Sequence, residues 1–214
     1  MAIATDKFIT RIERECPGAP TELMRQALID AASEFCTLSR SWTEIADAQL
    51  VVGGVNDYEV DLPSAAVALH IDDIWCGVNK LTEKTMRQIM VLMPTWQTSV
   101  GSVPLYYNAE FNIDGLRVYP MPDGINPSDL RIKGVFQPGE TAQTLPDYMW
   151  NRWRDVLASG AKAKLMLMPG LTWSKPDLVR VHEEIFMNGC MDARIAALHS
   201  NVASSLSVAN RRFQ

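Results

Sequence analysis

The stretch WNRWRDVLASGAKAKLMLMPGLTWSKPDLVRVHEEIF, Trp150 to Phe186, sets two helical patterns on either side of a Pro-Gly turn. In the first, Met149, Trp153, Val156, Leu157, Gly160, Ala161, Leu165 and Met168 recur at three- and four-residue steps, the period of one helix face. That pattern opens at Pro146 and stops at Met-Pro-Gly. In the second, the stripe is Leu178, Val181, Ile185, Gly189, Ala193 and Ala196, with Ser174 as candidate N-cap and Asp177 three residues on. If the two helices run antiparallel about Pro169 to Trp173, Gly189 comes to lie near Trp153. A missing side chain opposite a large ring is a steric match, so Trp153, Gly160 and Gly189 read as packing positions of the hairpin.

Upstream, Cys-Pro-Gly-Ala-Pro breaks the chain before a further helix from about Thr21 to Ser39. Its stripe is Leu23, Met24, Ala27, Leu28, Ala31, Ala32, Phe35 and Leu38, and a shorter helix, about 5 to 15, precedes it with Phe8, Ile9 and Ile12 on one side. Between the two helical regions the period changes to two. Tyr58, Val60 and Leu62 alternate with Asp57, Glu59 and Asp61, the mark of a half-buried strand. ALHIDDIWCGV, PLYYNAEF, GLRVYP and DLRIKGVFQ read as further strands, punctuated by Gly, Pro, Asn and Asp, with KTMRQIMVL as a short helix among them. These readings predict an α+β chain: a helical bundle formed by the N- and C-terminal helices, with an inserted, mostly antiparallel β module. The expected divisions are N-terminal helices over 1–47, the β module over 48–140, the hairpin completing the bundle over 141–200, and a C-terminal tail over 201–214.

A chain of 214 residues with 47% hydrophobic residues and six tryptophans can bury a sizeable core. Its formal charge of -5 is the wrong sign for a general grip on a polyanion. Cys16, Cys36, Cys76 and Cys190 are scattered, without the short spacings of a zinc site, and read as reduced thiols of a cytoplasmic assembly compartment. No signal peptide or membrane span is expected, because the longest uncharged run, 88 to 109, is interrupted by Pro94, Gly101 and Pro104.

Chemistry-bearing patterns are few. His182 opens His-Glu-Glu-Ile-Phe, which lacks the second histidine of a zinc protease because Phe186 stands in its place. Asp57, Glu59 and Asp61 share a strand face that reads as solvated, and a calcium loop would need turn geometry and more oxygen ligands. Asp72 and Asp73 are adjacent and point to opposite faces. Tyr106, Tyr107, Trp96 and Trp75 read as β-core aromatics, and Lys162 and Lys164 as the solvated edge of a helix. The expectation is no catalytic residue, no cofactor and no metal.

Three landmarks in order carry a resemblance. They are CPGAPTELMRQALIDAASEFCTLSRSW at 16 to 42, GLRVYPMPDG at 115 to 124, and the Leu-Pro, Gly-Ala-x-Ala-x-Leu, Met-Pro, Trp-Ser-x-Pro series of 145 to 194. The chain resembles the head-to-tail adaptor (connector) proteins of tailed bacteriophages, of the tail-tubular-protein-A type. The resemblance implies a structural virion protein, assembled in the host cytoplasm and placed in the neck below the portal vertex. It implies a homo-oligomeric ring, a dodecamer in the virion, with the portal protein above and the tail nozzle or tail tube protein below. Genomic DNA would pass through without specific binding, and no membrane is involved. It also implies that the C-terminal segment docks on the portal, which falls here on Val202, Leu206, Val208, Arg211, Arg212 and Phe213. The alternatives are another neck or head-completion protein, a nucleic-acid-binding module using Lys162, Lys164, Arg211 and Arg212, and a hydrolase built around His70 and His182.

Overall fold

Two long runs rich in branched and aromatic side chains, Ala66–Cys76 and Asp129–Pro138, pair antiparallel along their whole length. They appear in a computed structural model that describes residues 2–46, 48–59, 66–109, 115–125 and 128–199. In chain order the first elements are β1 (Ala2–Ala4), α1 (Asp6–Glu13), α2 (Thr21–Ser39), β2 (Thr43–Ile45), β3 (Gln49–Leu50) and β4 (Asp57–Glu59). Then come β5 (Ala66–Cys76), β6 (Asn79–Lys80), β7 (Thr82–Glu83), α3 (Met86–Leu92), β8 (Val100–Gly101) and β9 (Tyr106–Asn108). The last are β10 (Gly115–Tyr119), β11 (Met121–Pro122), β12 (Asp129–Pro138), β13 (Thr144–Pro146), α4 (Asp147–Met166) and α5 (Pro176–Leu198).

The largest sheet has the order β2-β12-β5-β6, with β3 also on β12, and is antiparallel throughout. A second sheet, β4-β10-β9-β7, is antiparallel except where β7 meets β9. β11 pairs parallel with β8, and β1 pairs antiparallel with β13.

The expectation of a helical bundle carrying an inserted β module is corrected by this arrangement. The chain is a mixed α/β fold in which thirteen strands accompany five helices among the described residues, and the sheets dominate its organisation. Strands are not confined to the middle of the chain. β1 lies before the first helix, β2 lies between Ser39 and residue 47, and β13 abuts α4. The cores show the physical reason. One gathers α1, α2, α4 and α5 but also takes Ala66, Ala68 and Phe136 from β5 and β12. The other takes Ile74, Cys76, Leu130 and Ile132 from the same two strands, with Tyr58, Tyr107, Leu116 and Val118. One ladder therefore roofs both cores. Its register shifts twice, between Lys133 and Gly134 and between Val135 and Phe136, as extra β5 residues oppose β12. Such bulges increase local twist, which lets one pair of strands face two differently oriented layers.

The helices form where their apolar stripes require. α1 buries Phe8, Ile9 and Ile12, and α2 buries Met24, Leu28, Ala31, Ala32 and Phe35. α2 stops at Arg40, which sits in the left-handed region at φ 51°. α3 begins with a full capping box: the Gln88 amide donates to Thr85 Oγ1, and the Thr85 amide donates to Gln88 Oε1 at 3.1 Å. Pro176 at the first turn of α5 makes Lys175 its N-cap residue, so Ser174 does not cap. The Ser174 hydroxyl donates instead to the Met166 carbonyl across the turn, at 3.3 Å.

Candidate functional site

The densest polar cluster joins three helices. Glu15 lies just beyond α1 and accepts a hydrogen bond from Lys162 Nζ of α4 at 2.6 Å on one oxygen. Its other oxygen lies 3.0 Å from His182 Nε2 of α5. Lys175 Nζ donates to the Glu15 carbonyl at 2.8 Å. Lys162 and His182 are each 8% exposed, an unusual depth for a lysine, and the carboxylate explains how it is tolerated. The hydrogen bond from Lys162 is the largest influence holding the Glu15 carboxyl below its ordinary range, against the opposing effect of burial. His182 Nδ1 is buried without a hydrogen-bond partner. Cys16 is also fully buried, and desolvation pushes its thiol up despite Lys175 nearby. The cluster ties helices together: its imidazole already engages a carboxylate, and its thiol stays protonated. Burial also raises the thiols of Cys36 and Cys76, and that of Cys190 to about 12.

The hairpin residues are brought together as a packing seam. A Cβ on Gly160 would lie 2.6 Å from Phe186 Cδ2 and 3.1 Å from Ala31 Cβ, so α2, α4 and α5 converge on that glycine. A Cβ on Gly189 would meet Val156, with Cγ1 at 2.5 Å. The nearest neighbour of Gly189 is thus Val156, about one turn along α4 from Trp153, whose ring stacks at a tilt on Phe35 at 5.8 Å. The stripe expected on α5 is displaced over its first half. The buried face runs through Val179, His182, Phe186, Gly189, Cys190 and Ala193, so Gly189 and Ala193 are buried as expected whereas Leu178, Val181 and Ile185 point outward. Seating Phe186 at Gly160 and His182 at Glu15 sets this rotation, and one residue of offset turns a helix by roughly 100°.

The remaining positions fall apart from one another. His70 is exposed on β5, 3.9 Å from Asp72, and His199 follows α5, so neither joins His182 in one cluster. Asp57 is paired with Arg117, whose guanidinium donates to both carboxylate oxygens, and Glu59 is exposed beside it. A hollow of about 320 Å³ opens there, lined by Tyr58, Asn108 and Leu116. Asp61 lies outside the described residues. Tyr107 is buried in the second core, and its hydroxyl is raised to about 12 by burial. Lys164, expected at a solvated edge with Lys162, is half exposed and donates to Glu34 at 2.7 Å. Both lysines offered to nucleic acid in the alternative reading are therefore held by carboxylates. Val202, Leu206, Val208, Arg211, Arg212 and Phe213 lie outside the described residues.

Two surface features escaped the sequence reading. The outer side of α5 exposes apolar side chains among charged ones: Val181 is 51%, Met191 54%, Ile195 55% and Leu198 75% exposed, on the same helix as the exposed Arg180–Glu184 pair. A groove of about 670 Å³ runs between α2 and the end of β12, with Leu38, Val67 and Pro138 along it and Asp30, Glu34 and Glu140 at its rim. Neither has a local motif; the first follows from the rotation of α5, the second from the meeting of distant segments. Among the described residues, no group of three or more His, Cys, Asp or Glu side chains could hold a metal ion. No helix among them is long and apolar enough to cross a membrane. No protein-family model matches the chain, and no curated protein matches it.

Proposed function

We propose that the protein is a structural virion component, an adaptor that forms a ring between the portal and the tail of a bacteriophage and has no catalytic role. The outer face of α5 carries this reading on the structural side. A long helix that presents Val181, Met191, Ile195 and Leu198 to solvent offers apolar side chains to a neighbouring copy. A closed ring is built from heterologous contacts in which one patch meets a different patch on the next copy, and such contacts bury about 1,600 Å². The ordered landmarks at 16 to 42, 115 to 124 and 145 to 194 supply the rest, since they are the residues that resemble head-to-tail adaptors. The net charge of -5 is compatible with a conduit through which DNA slides without being held.

The test is electron microscopy of the purified protein alone and mixed with the portal ring from the same virion. A second ring stacked under the portal is the expected image. A portal that never acquires density from this protein would sink the adaptor reading.

A further inference from the structure

The groove on α2 combines apolar side chains with an excess of carboxylates. Its apolar surface comes from Leu38, Val67 and Pro138, and its charged lining is Asp30, Glu34 and Glu140 together with one cation, Lys164. Glu34 already accepts from Lys164. Asp30 accepts only a neutral hydrogen bond, from Gln26 at 3.0 Å, and among the described residues no cation sits on Asp30 or Glu140. The wall between them is fixed in advance: Ser33 donates to Gln137 Oε1 at 2.9 Å, tying β12 to α2, and the Thr37 hydroxyl, which donates to the Ser33 carbonyl at 3.0 Å, lies 3.3 Å from the same oxygen. A preformed site loses less entropy on binding than one that must first be ordered.

The chain contains a segment of the matching chemistry. Residues 201–214, NVASSLSVANRRFQ, hold Arg211 and Arg212 with no acidic side chain, and Val202, Leu206, Val208 and Phe213 as apolar anchors. Two guanidinium groups stand against two carboxylates that lack a cation, and arginine–carboxylate pairs are among the stronger charge-assisted contacts. We propose that the groove receives this basic C-terminal segment from a second copy of the chain. Docking on a neighbour rather than in the chain's own groove rests on the ring-forming reading above, in which copies stand head to tail. Phe186 lies beside Gly160, near the groove residue Lys164, and α5 then runs on to Leu198, about 18 Å further at 1.5 Å per residue. A stretch the length of 201–214 reaches about 50 Å when extended, at roughly 3.3–3.6 Å per residue, which exceeds that distance. This gives the segment a seat between copies, separate from any seat on a portal.

Charge reversal on the full chain tests it without a portal. One variant carries Asp30→Lys and Glu140→Lys, another Arg211→Glu and Arg212→Glu, and a third carries all four. Self-association is followed by sedimentation velocity and native mass spectrometry at low ionic strength, where such pairs are least screened. Each two-site variant alone is expected to associate at least about tenfold more weakly than the parent, in line with charge pairs at an interface. The four-site variant should recover, and so should an equimolar mixture of the two-site variants, because each then offers the other a complementary partner. Circular dichroism melting of the variants, all changed at exposed or terminal positions, should match the parent. A parent that stays monomeric at every concentration overturns the proposal, as does association indifferent to the reversals. Recovery in the four-site chain without recovery in the mixture also overturns it, placing the contact within one chain.

Discussion

Gly189 and Glu15 show how single residues hold the helical layer. At Gly189 even a methyl group would collide with Val156, whose Cγ1 lies 2.5 Å from where the Cβ would stand. Gly189→Leu is expected to lose at least about 3 kcal/mol, the upper end of ordinary overpacking. By calorimetry that is a fall in Tm of roughly 6–12 °C for a chain of this size. Adding Val156→Ala should return part of the loss, and an unchanged Tm in the single variant would discard the steric account. Glu15 responds to pH instead. Lys162 first, and His182 after it, hold its carboxyl below the ordinary 4.5, so the folded state binds the proton less readily than the unfolded chain does. Its stabilisation is therefore complete above pH 4.5 and is lost as pH falls through the depressed folded value. Glu15→Gln should cost about 1–2 kcal/mol at neutral pH, mainly by leaving Lys162 buried without its counter-charge and reduced by the solvent that Glu15 still contacts. Urea titrations should show the gap to the parent narrowing below pH 4.5; a constant gap would mean that the ion pair does not carry it. The hairpin and its glycines were legible in the sequence, because three- and four-residue spacing marks a face. The partner of Gly189 was not, since one turn of slip along α4 leaves the stripe unchanged. His182 and Lys162 gave no hint that Glu15 would reach both from a remote part of the chain.

α5 has two faces of different exposure. Phe186, Cys190 and Ala193 face the core, while Val181, Ile185, Met191 and Ile195 face solvent. Substituting Val181 and Ile185 by Glu should leave stability within about 0.5 kcal/mol, as at other surface positions away from special features. The same double change should abolish ring density in the portal mixture, since buried unpaired charge at an interface costs several kcal/mol. A Tm drop of many degrees would instead mean that this face belongs to the subunit's own core. Periodicity foretold a long helix from the region of Ser174 and an apolar stripe on it. It could not tell inward from outward, because Val181 and Ile185 are as apolar as the residues that are buried. The strands were similarly half legible. Alternation and punctuation located β5, β10 and β12, whereas β1, β2 and β13 are short and gain their pairing from partners distant in sequence.

Across the whole molecule, β5 and β12 join what the sequence suggested were a bundle and an insert. Phe136 lies in the helix-lined core and Ile132 in the other, four residues apart on one strand. Phe136→Ala should cost about 3–5 kcal/mol and Ile132→Ala about 2–5. Scanning calorimetry of either variant is expected to show one transition moved as a unit. Two separated transitions, with Phe136→Ala shifting only one, would mean that the layers unfold independently. The bundle-with-insert expectation failed because helical segments at the two ends and strands in the middle look the same on paper whether or not one sheet touches both cores. The seam between α4 and α5 has a mechanical consequence. Phe186 sits over Gly160 as Val156 sits over Gly189, two interlocks of opposite sense about a turn apart. A pull applied to the outside of α5 parallel to its axis cannot simply shear the helices past each other. They would first have to separate, so such a pull passes into α4 rather than dissipating as slip.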